Sequence, residues 1–273
     1  MATFKESYGP WALVTGASAG IGRECARQIA AEGINLVLVA RRKNLLEELG
    51  RELSAEHGVE CVAAPVDLRA PGFLDPIRAA TEGREIGLLV NNAGIGSFGD
   101  FLEADLEELQ AILAVNTTAP TVLCHAYGRE MAKRKRGGIL MVSSMVAFMS
   151  APRMWNYPAS KAYDLLLGEA LNYEFRDHGI AVSTLLPGFT APGFTDNLDL
   201  SRVPMPIAKT PKVVRTALRT LGRRSLILPG LMNKMMYRMS SMMPRRVNVA
   251  MIGMMNKRIG WKDEAATSPT TSS

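Results

Sequence analysis

Cysteine is scarce in this chain: Cys25, Cys61 and Cys124 are the only three among 273 residues, odd in number and scattered. That excludes a disulfide framework and a cysteine-built zinc site, and it fits a reduced compartment. Long apolar runs are also missing, since none approaches the roughly 20 residues that cross a bilayer. Met1 to Pro10 lacks the apolar core of a signal peptide, so a cytoplasmic protein is expected. Acidic residues are absent from one region altogether. Leu200 to Lys262 contains no Asp or Glu but holds fourteen Lys and Arg, from Arg202 to Lys262. The formal charge of +6 therefore divides into a basic C-terminal part and a remainder with a net of −8. Nucleic-acid binding does not follow from this charge, because the basic segment has no recognisable motif and only Tyr237 and Trp261 as aromatics.

What is present is apolar and regularly punctuated. Hydrophobic residues make up 47% of the chain, with 24 Gly and 15 Pro, which is globular usage and excludes disorder. Short apolar runs at Trp11–Thr15, Asn35–Ala40, Val59–Pro65, Ile86–Asn91, Gly138–Ser143, Ile180–Pro187 and Leu226–Leu228 read as strands. They are continuous rather than alternating, as in parallel strands covered on both faces. Helical patterns occupy about 20–32, 43–57, 71–83, 104–135, 156–178 and 210–222, with Pro120 kinking or breaking the fourth. This order predicts a doubly wound α/β parallel sheet with right-handed crossovers. The expected organisation is a catalytic domain over 1–230 with a substrate loop at 188–211. A basic helical extension follows over 231–262, then a disordered tail over 263–273.

The first strand runs into Thr15-Gly16-Ala17-Ser18-Ala19-Gly20-Ile21-Gly22 and then a helix. Glycines at such a turn let backbone N–H groups approach a pyrophosphate, and the helix N-terminus favours its charge. Gly16, Ser18, Gly20, Ile21 and Gly22 are thus candidates for binding a dinucleotide, in the manner of a Rossmann fold. At the end of the second strand, where an acid usually meets the ribose of NAD, stand Arg41 and Arg42. Guanidinium groups there pair with a 2′-phosphate, which favours NADP(H); the alternative is two solvated arginines opening a helix.

Tyr157 and Lys161 form a YxxxK sequence, and residues four apart share a helix face. A cation beside a phenol stabilises the phenolate and moves its pKa down from about 10. Ser144 lies 13 residues upstream, at the end of the fifth strand, where a hydroxyl can hydrogen-bond a substrate carbonyl. No metal is needed for such chemistry.

Taken in order, these elements resemble the short-chain dehydrogenase/reductase family over roughly Trp11 to Gly188. Further matching elements are Asp67-Leu68, Asn91-Asn92-Ala93-Gly94, Val115-Asn116 and Pro187-Gly188. The resemblance implies that Tyr157 is the proton donor in reduction and the base in oxidation, and that Ser144 polarises the carbonyl. It gives Lys161 the nicotinamide ribose, and gives Asn116 a water that links Lys161 to solvent. It implies that Asp67, with Leu68 beside it, contacts the adenine. Asn92, Ala93 and Gly94 shape the cofactor site, and Pro187 and Gly188 flank the nicotinamide. The family's spacing puts a threonine at position 192, which is Pro here, so Thr190 or Thr195 takes the carboxamide. The family also implies a homodimer or homotetramer through the helices at 104–135 and 156–178.

Met145, Val146, Phe148, Met149, Met154, Trp155, Phe189, Phe194 and Phe98 are candidates to line an apolar substrate pocket. They point to a bulky ketone or alcohol of steroid, fatty-acyl or terpenoid type. Nine methionines fall between 231 and 255, in a helical stripe from Leu231 to Met243 and a second from Val247 to Met255. Three readings stay open for them: packing on the body or a second subunit, peripheral contact with an anionic membrane, and a cover over the substrate pocket. The expected function is an NADPH-dependent carbonyl reductase. A catalytically silent NADP-binding regulator and a membrane-associated scaffold are the alternatives. The three histidines, His57, His125 and His178, read as structural.

Overall fold

A computed structural model describes residues 3–191 and 207–259 of the chain. Among these residues the strands are β1 (Trp11–Thr15), β2 (Asn35–Ala40), β3 (Cys61–Pro65), β4 (Ile86–Asn91), β5 (Gly137–Val142), β6 (Ile180–Leu185), β7 (Thr190–Ala191), β8 (Ala208–Lys209) and β9 (Leu226–Ile227). Seven form one parallel sheet in the order β3-β2-β1-β4-β5-β6-β9, while β7 and β8 pair with each other. The helices are α1 (Phe4–Tyr8), α2 (Gly20–Ala31), α3 (Lys43–His57), α4 (Leu74–Thr81), α5 (Leu106–Leu113), α6 (Ala119–Arg134), α7 (Tyr157–Glu174), α8 (Thr210–Thr220), α9 (Leu231–Met242) and α10 (Arg245–Ile259).

The continuous apolar runs are explained by two cores, one on each face of the sheet. Successive side chains of a strand point to opposite faces. Ala12, Val14, Leu36, Leu38, Leu88, Val90 and Leu140 pack on one face with Ile29 of α2, Leu49 of α3 and Val214 of α8. Leu13, Val37, Val39, Leu89, Ile139, Met141 and Val182 pack on the other with Ile77 of α4 and Leu123 of α6. Each fully buried Leu or Ile contributes roughly 1.5–3 kcal/mol, so both parities of every central strand must be apolar.

The strands lie where the apolar runs place them, within one or two residues. The helix predicted at 104–135 is one continuous helical run through α5 and α6; its irregularity is a single wide turn over Ala114–Thr118 with i→i+5 bonding, not a kink or break at Pro120. Pro120 stands in the first turn of α6, where its missing N–H does no harm. The helix expected at 71–83 is shorter, Leu74–Thr81. Most of the expected substrate loop, with Phe194 and Thr195, and the tail after Ile259 lie outside the described residues. Among the described residues no helix is long and apolar enough to cross a membrane.

Candidate active site

Winding runs outward from β1 through β2 to β3 on one side, and from β4 through β5 and β6 to β9 on the other. The carboxyl ends of β1 and β4 therefore frame the crevice at which such sheets bind ligands. Thr15, at the end of β1, fastens the two sides together. Its hydroxyl donates to the Val90 carbonyl at 3.2 Å and accepts from the N–H groups of Asn92 and Ala93, both at 3.0 Å. The Asn92 amide donates in turn to the Thr15 carbonyl at 2.9 Å. Thr15 was not among the sequence candidates; its position at the strand end was the available signal.

Gly16 has φ +67°, and a Cβ there would stand 2.6 Å from the Asn92 amide nitrogen. Both conformation and space therefore require glycine at this turn. Gly16, Ser18, Gly20 and Ile21 line a continuous cavity of about 670 Å³, and Asn92, Ala93 and Gly94 face them across it. Gly22 does not line the cavity but sits behind the turn, where a Cβ would come within 2.3 Å of the Gly16 carbonyl oxygen.

One end of the cavity is rich in guanidinium groups. Arg41, Arg42, Asp67, Leu68 and Arg69 line it together. Arg42 donates to the Ser18 hydroxyl at 3.1 Å, which ties the second strand's end to the glycine turn. Asp67 accepts from Arg69 at 2.6 Å, and this bond, more than the nearby Arg41, holds its carboxyl below the ordinary range. Arg69 is an addition to the candidates read from sequence. Its place two residues after Asp67 gave no pattern that distinguishes it from a solvated arginine.

The next part of the cavity carries the reactive groups. Ser144, at the end of β5, caps a short turn over Met145–Phe148 by accepting from the Val146 N–H. Tyr157 begins α7 and is buried, and its phenol is hydrogen-bonded to Ser144. Lys161, one turn further on, donates to the Val142 carbonyl at 3.0 Å and to Asp164 at 2.9 Å. Burial pushes the Tyr157 phenol above its ordinary pKa, and Lys161 and Ser144 oppose the shift without overcoming it. The downward shift expected from the YxxxK spacing is thereby corrected: desolvation of the phenolate outweighs the cation. Burial also pulls on the Lys161 ammonium, but Asp164 and Tyr157 more than compensate, so its pKa lies above the ordinary value.

Asn116 is placed differently from the other three. It lies in the wide turn before α6, wholly buried, and does not line the cavity. Its amide clasps the Ile95 backbone at both N–H (2.9 Å) and carbonyl (2.8 Å), and donates to Ser160 at 2.9 Å. Pro187, Gly188 and Thr190 do line the cavity, and the Thr190 hydroxyl donates to the Gly188 carbonyl at 2.9 Å.

The remaining wall is apolar. Met145, Val146, Met149, Met154 and Phe189 line it, as the sequence predicted. Phe148 instead packs at a tilt against Tyr237, ring centroids 4.4 Å apart, and Trp155 donates its indole N–H to the Gly99 carbonyl. Phe98 packs behind the wall in a small core with Met154 and Ile252. Of the C-terminal stripes, Met232, Met236 and Met239 of α9, Met243 just after it, and Met251 and Met255 of α10 line the cavity. Met232, Met239 and Met251 remain solvent-exposed along that lining, and Leu231, Met235, Met242 and Met254 are exposed outside it. Polar groups are few on this wall; Asn248 donates to Ser240 at 2.7 Å and its own carbonyl oxygen is buried without a hydrogen bond. None of the three histidines lines the cavity.

Comparison with known proteins agrees with this geometry. The model of the short chain dehydrogenase family matches residues 10–202. A 7beta-hydroxysteroid dehydrogenase of Collinsella aerofaciens is 34% identical over 235 residues, covering 84% of this chain and 89% of that protein. A solved structure of a 7beta-hydroxysteroid dehydrogenase superposes with a TM-score of 0.85 at 30% identity, covering 92% of this chain and 99% of the other. A short-chain dehydrogenase of Sphingobium yanoikuyae, solved in complex with NADPH, superposes with a TM-score of 0.76 at 32% identity, covering 87% and 97%. With the glycine turn, the Ser144–Tyr157 pair and Lys161 all brought to one crevice, the chain belongs to the short-chain dehydrogenase/reductase family of oxidoreductases.

Proposed function

We propose that this chain is an NADPH-dependent oxidoreductase acting on a carbonyl, or in reverse a secondary alcohol, of a bulky apolar substrate of steroid class. The observation that carries the reading is one cavity that joins the glycine turn, the Ser144–Tyr157 pair and a methionine-lined wall. The relatives that act on 7beta-hydroxysteroids support the steroid among the fatty-acyl and terpenoid alternatives.

The residues present fit a nicotinamide dinucleotide. The cradle at Gly16 leaves no room for a Cβ, so backbone can approach the pyrophosphate. Arg41, Arg42 and Arg69 line the end where a 2′-phosphate would lie, and fork-shaped donors suit it. Lys161 has three ammonium protons, of which two are held by Val142 and Asp164, leaving one donor for a ribose hydroxyl. Asn92, Ala93, Gly94, Pro187, Gly188 and Thr190 complete the nicotinamide end, and Asp67 with Leu68 the adenine end. When bound, the cofactor supplies the hydride that reduces a carbonyl carbon.

The chain's own residues then manage the oxygen and its proton. Ser144 donates to the carbonyl oxygen, stabilising charge as it develops there. Tyr157 transfers its phenolic proton to the same oxygen. Its raised pKa keeps it protonated at neutral pH, so it is loaded as a donor. Reduction accordingly falls as pH rises through that pKa, whereas oxidation, which needs the phenolate, rises. Asn116 supports the site by fixing Ile95 and Ser160, and a water held near it would connect Lys161 to solvent.

The α9–α10 pair acts as the cover of the substrate pocket. Its methionines are flexible enough to adapt to an irregular polycyclic surface. The expected result is that NADPH is consumed with bulky ketosteroids at least tenfold faster, per kcat/KM, than with ketones of three or four carbons. Equal rates would remove the proposed role of the cover, and no consumption with any ketone would favour the silent regulator. The outer face of α9 pairs exposed Leu231 and Met242 with Lys234 and Arg238, which leaves peripheral membrane contact as a second reading. Exposed Leu102, Leu106, Leu166 and Tyr173, on and beside α5 and α7, support a homo-oligomer through that face.

Cofactor choice has its own test. Arg41→Asp places a carboxylate against the 2′-phosphate and should raise the Kd of NADPH about tenfold while leaving that of NADH within about twofold. Fluorescence titration with each cofactor reads both; an unchanged ratio would remove Arg41 from the assignment.

A further inference from the structure

Tyr157, Lys161 and Asp164 lie at i, i+4 and i+7 on one face of α7. The first two belong to the proposed chemistry. Asp164 has no part in it, yet it is only 3% exposed, and Lys161 is 4% exposed. A buried ion pair is not an inert surface feature. Removing two charges from water costs several kcal/mol per ion, and a carboxylate at this depth is tolerated only beside a partner.

The pair is also asymmetric. One oxygen of Asp164 accepts from the Lys161 ammonium at 2.9 Å, while the other is buried without a hydrogen bond. The carboxylate thus has one strong polar contact here, and that contact is the lysine. Lys161 has a second anchor in the Val142 carbonyl, so its nitrogen is fixed from two directions.

We propose that Asp164 is a positioning residue for the reaction: its buried carboxylate holds the Lys161 ammonium in place one turn from Tyr157. The inference rests on the reading of Tyr157 and Lys161 as acid–base pair given above. Burial acts on Lys161 in the downward direction, and Asp164 is the largest influence opposing it.

The other ionisable groups around Asp164 are few. Tyr157 and Lys161 come from its own helix. Cys124 comes from α6, its thiol pushed up to about 12 by burial first and by Asp164 second. The wide turn, the turn over Met145–Phe148, β5 and β6 contribute no ionisable side chain, and α5 contributes Glu107, exposed, and Glu108, half-buried. Lys161 is therefore the cation that balances Asp164.

Asp164→Asn tests this through the pH profile of alcohol oxidation. In the unmodified protein kcat/KM should rise with pH and reach a plateau, because the base is the phenolate and Lys161 stays charged. In the variant, Lys161 loses its proton as burial prevails. The plateau should become a bell, with a new alkaline limb falling about tenfold per pH unit where the unmodified protein holds its plateau. Asp164→Glu, which keeps the charge, should restore the plateau. A purely structural role would lower the whole profile without changing its shape, and a variant profile that keeps its plateau overturns the proposal. Should Asp164→Asn not fold, ¹³C NMR of the unmodified protein decides: an ionised Asp164 carboxylate and a charged Lys161 at pH 7 support the proposal, and either group neutral overturns it. If the unmodified protein turns over no alcohol or ketone, the proposed function fails, and the NMR titration still decides the state of the pair.

Discussion

Tyr157→Phe is expected to reduce turnover by about 10³-fold while the Kd for NADPH stays within about twofold. The substitution removes one oxygen and leaves the ring. The ring sits in the small core with Met154 and Ile252, so the packing of the pocket wall survives. What is lost is the proton donor and its hydrogen bond to Ser144. General acid catalysis contributes 10²–10⁴-fold in such reactions, whereas loss of one neutral hydrogen bond costs about 1 kcal/mol, or roughly fivefold. The magnitude therefore separates proton transfer from mere orientation. Stopped-flow reduction under saturating NADPH reads the chemical step alone; a loss under tenfold would take the proton from Tyr157 and give it to another group.

Gly22→Ala is expected to be the most damaging single methyl group in the cofactor region. Its Cβ would meet the Gly16 carbonyl at 2.3 Å and the Asn92 amide at 2.4 Å. Neither can withdraw easily. The first is backbone, and the second is held by its bond to Thr15. Relief requires α2 to move away from β1, which also spreads the glycine turn in front of it. Overpacking of this kind costs about 1–3 kcal/mol. The same displacement should weaken dinucleotide binding about 100-fold, since backbone N–H groups no longer converge. Thermal unfolding and cofactor titration should change together. A variant that binds NADPH normally would show that the turn tolerates the shift and that Gly22 serves packing alone.

The sequence was most informative where one physical demand governed the residue. β1, β2 and β4 were legible because both parities of each strand must be apolar between two helical layers. Tyr157, Lys161 and Ser144 stood out because they occur in the family's order with the glycine turn ahead of them, and all three line one cavity. The wide turn between α5 and α6 was not legible, since one extra residue leaves the apolar period almost unchanged and Pro120, where the irregularity was expected, stands just past it. Asp164 was hidden for a different reason. An acid three residues after a lysine on a helix reads as a solvated surface pair, and only the tertiary contacts bury it. The direction of the Tyr157 shift depended in the same way on burial, which no spacing reports. The methionine stripes showed that α9 and α10 have an apolar face; which surface it covers depends on how the chain returns after β9.

The central claim, that this cavity transfers hydride between a nicotinamide and the carbonyl carbon of a bulky substrate, is tested most directly with NADPH deuterated at the transferring position of the nicotinamide ring. Mass spectrometry of the product of a ketosteroid should find one deuterium on the new carbinol carbon, and about 10³-fold less product in the same time with Tyr157→Phe. NADPH bound by the protein with no deuterium delivered to any ketone would contradict the account.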